Sequence, residues 1–451
     1  MKLIDHIIRV DLDEDDLLII NSLNGLMDVI RHPIPGILEK WQGVCTIEPE
    51  TEFEKSLYDC LAERGYLMKD EDEEVKKKQE IIKKLRDTHH KKSGKITHIT
   101  FIITYDCNFA CPYCFEANVK DRTVITNEQI NAALALAGDS LVSIGLFGGE
   151  PLLPGNRKAL EHLFSKIGDV GLYITTNGYY LEDFFYFLNS RRIVQVMVTL
   201  DGEEDTHNSR RYLTNGGPTF HKIISGVRLC LENAIDVCIR MNVNDSNLAE
   251  AKELRERLIK RFEYTSGGLT FEMGHMLELG FGERNYIASN LLESDSGLSI
   301  EEKIIRNRMY ERYSPIVNSF AASSRVKPTY SFCYAHAGES ILVDPMGHIF
   351  PCLVSVGIEA LSIGTYHPEV NFKESGIHTR NIDSIAKCRE CKYALVCGGG
   401  CPLALKCYKN LLLPDCSSIH NQIHNMIPKI HKVKKDEERH TRDRLAKLCT
   451  G

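Results

Sequence analysis

The sequence has no run of about eighteen consecutive apolar residues, the length a helix needs to cross a bilayer, so no membrane span is expected. Its start, Met1-Lys2-Leu3-Ile4-Asp5-His6, lacks the long apolar core of a secretory signal, and the expected location is the cytoplasm. Positive charge is not in excess either. The chain carries 55 Lys and Arg against 62 Asp and Glu, and the net −7 argues against a nucleic-acid partner. Hydrophobic residues at 43% and charged residues at 26% fit a globular protein, and 451 residues allow about two to four domains.

Cysteine, by contrast, is abundant. Sixteen cysteines in a reducing compartment are poor disulfide candidates, and eleven of them fall in two groups, which argues for metal binding. The first group is Cys107-Asn108-Phe109-Ala110-Cys111-Pro112-Tyr113-Cys114, directly after the β-type run Ile99-Thr100-Phe101-Ile102-Ile103-Thr104. Three thiolates in one loop at the end of a buried strand make a soft metal site one ligand short of closure. A [4Fe-4S] cluster held there would keep one iron free for a small molecule. A structural zinc knuckle with its fourth ligand elsewhere is the alternative reading of this loop taken alone.

From residue 96 strands and helices alternate. Strands are expected at 142–147, 171–176, 194–200, 237–243 and 268–276, with helices at 127–137, 154–167, 181–188, 219–231 and 248–261. With the strand before Cys107 these make six βα-type units, a parallel sheet curling into a partial barrel of α/β class. Ligands in such folds sit at the carboxyl ends of the strands. Gly148-Gly149-Glu150-Pro151, Thr175-Thr176-Asn177-Gly178 and Thr199-Leu200-Asp201-Gly202 all fall there. Glycines let backbone approach a ligand closely, and Glu150 can accept from an ammonium group.

A CxxxCxxC loop followed by GGEP at the next strand end resembles the radical S-adenosylmethionine (SAM) family. The resemblance implies that Cys107, Cys111 and Cys114 ligate a [4Fe-4S] cluster, and that Tyr113, Gly148, Gly149, Glu150, Thr176, Asn177 and Thr199 lie around bound SAM. His207-Asn208-Ser209-Arg210-Arg211 is similar to the family's His-Asp-x-x-Arg stretch, with Asn208 in place of the acid. Arg211 is then a candidate partner of the SAM carboxylate, Arg210 is its neighbour by one residue, and Arg240 at a strand end could do the same job. His275, at the sixth strand end, either faces the substrate or simply packs.

The second group is Cys333, then Gly347-x4-Cys352, then Cys388-x2-Cys391-x5-Cys397-x3-Cys401, with Cys407 and Cys416 beyond. Zinc ribbons also use CxxC. The order resembles the SPASM extension of radical SAM enzymes, which holds two auxiliary [4Fe-4S] clusters. By that resemblance Cys333, Cys352 and Cys401 ligate the first, and Cys388, Cys391, Cys397 and Cys416 the second. Cys407 completes the first, or that cluster stays open to a substrate thiolate.

Residues 1–70 read as a separate unit of three short strands, two helical patterns and a last strand, a winged-helix pattern. Seven Lys and Arg against fifteen Asp and Glu would repel a duplex, so a peptide is the better ligand. The order is similar to the recognition domain of peptide-modifying enzymes, where a leader peptide adds as a strand. A capping domain that only packs on the core is the alternative. Residues 71–95 read as a charged linker helix, 96–310 as the barrel, 311–420 as a bridging segment and SPASM domain, and 421–451 as a tail in which Pro428 ends or kinks a helix.

Together these features resemble maturases of ribosomally made peptides, especially the sactipeptide and ranthipeptide enzymes that join a cysteine sulfur to carbon. The resemblance implies SAM, three [4Fe-4S] clusters, a precursor peptide with a leader, and an electron donor such as flavodoxin or ferredoxin. A carbon–carbon crosslinking maturase, an anaerobic sulfatase-maturase-like enzyme and a non-catalytic zinc or iron–sulfur peptide-binding protein remain as alternatives.

Overall fold

Short acidic turns and a capping box build the N-terminal part. Strands β1 (Lys2–Leu3), β2 (Ile7–Asp11), β3 (Asp16–Asn21) and β4 (Met27–Arg31) precede helices α1 (Ile34–Trp41) and α2 (Glu52–Glu63). Thr51 and Glu54 cap α2 reciprocally, each side chain meeting the other's backbone N–H. Strand β5 (Leu67–Met68) pairs antiparallel with β1, and β2, β3 and β4 form their own antiparallel sheet. The computed structural model describes residues 1–92, 94–114, 116–117, 119–243, 246–278, 285–288, 316, 319–320, 324–333, 338–374, 376–401, 412–432 and 435.

Helix α3 (Glu71–Lys92) occupies most of the stretch expected as a charged linker helix at 71–95, and it packs at both ends. Glu74 is buried on it and accepts the backbone N–H groups of Asp5 and His6 at 2.8 and 3.1 Å. Further along, the Lys78 ammonium donates to the Arg389 carbonyl at 2.7 Å, and Arg86 pairs with Asp383. Ile81, Ile82 and Leu85 pack into a core formed by Leu3, Trp41, Leu57 and Leu61 together with Ile382, Ile385 and Leu395. The helix is thus a strap joining the N-terminal part to the second cysteine region, and one hydrophobic core runs through both.

The central sheet begins with β6 (His98–Ile102), β7 (Ser143–Phe147), β8 (Gly171–Thr176), β9 (Ile193–Thr199), β10 (Val237–Val243) and β11 (Leu269–Glu278), parallel neighbours in that order. Helices α4 (Asn127–Ala137), α5 (Arg157–Lys166), α6 (Leu181–Leu188), α7 (Glu204–Arg210), α8 (Phe220–Glu232) and α9 (Leu248–Arg261) lie between them in sequence. The apolar faces of α4, α5, α6, α8 and α9 share one core with one face of the strands, whose alternate residues include Ile99, Leu146, Ile174, Val198 and Ile239.

Two features go beyond six simple βα units. Helix α7 is short and polar, without the apolar periodicity that marks the others. Strand β13 (Ser340–Val343) adds in parallel to the free edge of β6, making a seventh parallel strand. Strand β12 (Asn285–Ala288) closes the opposite edge antiparallel, and β14 (His348–Phe350), β15 (Gly364–Thr365) and β16 (Asn371–Phe372) continue beyond β13. Most of residues 290–323 lies outside the described residues.

Residues 417–432 are helical, with a widened turn over Gln422–Met426. Pro428 offers no N–H and crowds the carbonyl four residues earlier, which a widened turn accommodates. Ile419, Ile423, Met426, Ile427 and Ile430 of this tail pack on Ile8, Val10, Leu18 and Ile20 of the N-terminal sheet.

Candidate active site at the strand ends

The loop carrying Cys107, Cys111 and Cys114 starts just beyond β6 and is fixed from two sides. On one side the Gly149 N–H donates to the Thr104 carbonyl at 2.9 Å, and the Glu150 N–H donates to the Asp106 carbonyl at 2.8 Å. A Cβ at Gly148 would lie 2.3 Å from the Thr104 oxygen, and one at Gly149 2.2 Å from the Asp106 oxygen. The two glycines are therefore required by the close approach of the cysteine loop's own backbone. On the other side the Ala110 N–H donates to Tyr212, and the Thr214 N–H to Asn108. The stretch after α7 thus runs antiparallel to the loop.

Glu150 is fully buried. Its carboxylate accepts the Leu152 N–H at 2.8 Å, the Thr176 hydroxyl at 2.7 Å and the Asn177 N–H at 2.7 Å. Burial pushes its carboxyl up to about 7, against the pull of those donors. The Asn177 side-chain amide then donates to Asn108 Oδ1 at 2.8 Å and to Cys107 Sγ at 3.7 Å. The GGEP and TTNG strand ends and the first cysteine are thus one hydrogen-bonded chain. Thr199 is buried at the end of β9, in register with Arg240.

A second hub was not singled out from sequence. Asp201, fully buried after β9, accepts the Tyr113 hydroxyl and the Asn242 N–H, and Arg210 lies 3.5 Å away. The Asp201 N–H donates to His207 Nδ1 at 3.3 Å, and its carbonyl accepts from Asn247. Burial and two nearby guanidiniums hold His207 well below its ordinary pKa, in the neutral form that this acceptor role needs. An aspartate just before a glycine at a strand end was the available signal, but its partners are spread from 113 to 247.

The three arginines separate. Arg240 is ion-paired with Glu272 on β11 and donates to Asn242 Oδ1. Arg210 is engaged by Asp201 and the Asn242 carbonyl. Arg211 donates to the Tyr113 hydroxyl at 2.9 Å, lies over the Phe109 ring, and its buried Nε has no partner. Asn108 Nδ2 is buried without a partner as well. The His275 side chain lies outside the described residues.

Two orphaned donors therefore flank three cysteines, an arrangement that fits an anionic group held between them. Burial raises all three thiols, Cys107 up to about 12 and Cys114 up to about 11, while the Arg211 charge pulls Cys111 back. Phe109 N–H and the Asn177 amide both donate to Cys107 sulfur, as suits a thiolate. The donor set fits a [4Fe-4S] cluster carried by thiolates.

In the second region Cys388, Cys391, Cys397 and Cys416 share one neighbourhood. Burial raises the Cys397 thiol up to about 12, with added repulsion from Cys388, Cys416 and Cys391. Burial likewise raises Cys388 up to about 11, with Arg380 opposing the shift. Cys333, Cys352 and Cys401 are half-buried, and Cys352 Sγ lies 3.9 Å from the Ser355 hydroxyl. Cys407 lies outside the described residues.

Comparison with known proteins bears on the same segment. Residues 101–258 match the radical SAM superfamily. A GTP 3',8-cyclase of Campylobacter jejuni subsp. doylei is 28% identical over 190 residues, 38% of this chain and 58% of that protein. The chain thus spans less than two thirds of the first curated relatives it matches. A GTP 3',8-cyclase of Nautilia profundicola is 24% identical over 286 residues, 57% of this chain and 81% of that protein. Among solved structures, anSMEcpe with bound AdoMet covers 76% of this chain and 96% of its own, with TM-score 0.51 and 18% identity. A second structure of anSMEcpe, with AdoMet and Kp18Cys peptide, covers 76% and 99% with TM-score 0.50 and 17% identity. The fold is shared with these, and the cysteine loop with its GGEP and TTNG partners lies in the segment that matches the radical SAM superfamily, a match that implies a [4Fe-4S] cluster and SAM.

Proposed function

We propose that this chain is a radical SAM peptide maturase that joins a cysteine sulfur to a carbon within a ribosomally made precursor peptide. The observation that carries the SAM-dependent half is the pair of buried unpartnered donors, Arg211 Nε and Asn108 Nδ2, beside Cys107, Cys111 and Cys114. The three thiolates would hold the cluster, and Arg211 is the guanidinium left to meet the SAM carboxylate. When bound, the reduced cluster would supply the one electron that SAM needs for cleavage, and the chemistry so provided would be hydrogen abstraction from an unactivated carbon.

The protein's own groups do the positioning. The Tyr113 hydroxyl donates to Asp201 and accepts from Arg211, which fixes the ring. Glu150 fixes Thr176 and Asn177, and through Asn177 the first cysteine. Burial of the strand ends keeps bulk water from the reacting carbon.

A peptide substrate is supported by the small N-terminal sheet, whose acidity disfavours nucleic acid, and by the second cysteine group, which by its resemblance to the SPASM extension would hold two auxiliary clusters. A leader peptide would add to that sheet, and flavodoxin or ferredoxin would deliver the electron. The anSMEcpe structure solved with a peptide shares the fold. A carbon–carbon crosslink would need the same parts.

A second reading, a nucleotide substrate, rests on the GTP 3',8-cyclase relatives. Mass spectrometry after incubation of reduced enzyme and SAM with a cysteine-rich peptide, or with GTP, decides between them. Loss of two hydrogens from the peptide with blocked thiols supports the thioether. A SAM-dependent change of GTP alone supports the nucleotide reading, and zinc in place of iron would remove both.

A further inference from the structure

Gly398, Gly399 and Gly400 have φ of 68°, 90° and 75°, three left-handed residues in succession between Cys397 and Cys401. A Cβ at Gly398 would stand 2.4 Å from the Ser331 backbone, and one at Gly400 2.1 Å from the Asp415 carbonyl oxygen. Only glycine fits such a turn. Arg380, 1% exposed, is among the largest fully buried side chains of the molecule. Its Nη1 donates to the Gly400 carbonyl at 2.6 Å, and its Nη2 donates to Gly399 at 2.7 Å and Leu413 at 2.9 Å. The Asp415 N–H donates to the Gly399 carbonyl at 3.1 Å. One guanidinium thereby ties the turn between two cysteines to the segment that leads into Cys416.

We propose that Arg380 is the positioning residue of the auxiliary iron–sulfur region, fixing where Cys397, Cys401 and Cys416 present their thiolates. The assignment rests on the reading of residues 333–416 as a two-cluster region. By the resemblance given above, Cys401 would serve one cluster and Cys397 and Cys416 the other, which puts Arg380 at the junction of the two. A planar, permanently charged fork can serve three carbonyls at fixed angles, which a lysine ammonium on a flexible stem cannot reproduce. A buried cation also favours the reduced, more negative state of a neighbouring thiolate-held cluster, so its loss moves the potential downward.

The test uses the full-length chain with Cys107, Cys111 and Cys114 changed to alanine, so that all bound iron is auxiliary. The parent is expected to hold about eight irons, four per cluster. In it, R380Q is expected to lose at least half of that iron and to shift the remaining cluster signal, followed by electron paramagnetic resonance in a redox titration, to more negative potential. R380K is expected to fall between. Parent iron content and parent midpoint potential in both variants would overturn the proposal. If R380Q does not fold, R380K decides on the same two readouts. A parent without auxiliary iron overturns the two-cluster reading instead. Amide exchange at residues 399–401 then judges the staple alone: faster exchange in R380Q supports it, and unchanged exchange removes it.

Discussion

Asn208 Oδ1 accepts the backbone N–H of Thr219 at 2.9 Å and of Phe220 at 3.1 Å, so a side chain from α7 caps the start of α8. This explains why asparagine can replace an acid in the His-x-x-x-Arg stretch: the position needs an acceptor, and the amide oxygen supplies one. The cap also fixes Arg211, whose carbonyl accepts the Thr219 hydroxyl.

Asn208→Ala is therefore expected to lower stability by about 1 kcal/mol, the usual cost of losing a helix N-cap. Asn208→Asp keeps the acceptor and adds a charge favourable at a helix start, so it should match or exceed the wild type. Urea denaturation of the three proteins measures this, and equal midpoints for Asn208→Ala and wild type would remove the capping role.

Glu150 gives a pH signature. Its folded-state value of about 7 lies above the ordinary carboxyl value of 4.5, so the folded protein keeps a proton that the unfolded chain releases in between. The contribution is fully present below pH 4.5 and is lost as pH rises through 7. At about 1.4 kcal/mol per unit the loss is on the order of 3 kcal/mol. Metal-free wild type should lose urea resistance over that window relative to Glu150→Gln, which has no titrating group there. Parallel pH profiles for the two would contradict the assignment.

What could be read in advance follows from how local each signal is. Residues 127–137, 171–176, 181–188, 237–243 and 248–261 form helices and strands at the positions their periodicity indicates, because alternating burial is written into each short segment. Strand β13 could not be placed that way, since its partner β6 lies more than 230 residues earlier. Helix α7 has no apolar stripe, yet it supplies His207, Asn208 and Arg210. Helix α3 reads as a charged linker because its charges dominate, and the contact that ties it down is a single buried carboxylate, Glu74, meeting two backbone N–H groups at the start of the chain. The cysteine loop and GGEP were legible as motifs. The Asp201 hub was not, because its side-chain and backbone partners meet only in the folded chain.

The separation of the arginines makes a prediction about SAM affinity. Losing a charge-assisted hydrogen bond from Arg211 in Arg211→Met should raise the SAM dissociation constant roughly 10- to 100-fold, the equivalent of 1.5–3 kcal/mol. Arg240→Gln removes a guanidinium already committed to Glu272 and Asn242, and should leave SAM affinity within about threefold of wild type. Calorimetry on the anaerobically reconstituted protein measures both. The reverse order would move the carboxylate contact to Arg240.

The tail is held by charge as well as by packing. Asp16 is buried on β3 and is met by Arg31, by His431 at 2.7 Å and by Lys435 at 2.9 Å. Arg31 first, then the tail's Lys435 and His431, outweigh burial and hold its carboxyl far below the usual range. A depressed carboxyl contributes stability above its unfolded value near 3.8, and that contribution is lost as pH falls through the folded value. The latch should therefore hold at neutral pH and open only under acid. Asp16→Asn removes the charge at every pH, leaving Asp13 as the remaining carboxylate for Lys435 and His431 and leaving Arg31 without its partner. Trypsin should then cut at Lys429, Lys432 or Lys435 several-fold faster in the variant at pH 7, at a rate that follows the fraction of tail released. Equal cutting rates would mean that Ile423, Met426 and Ile427, packed on the N-terminal sheet, hold the tail without help from Asp16.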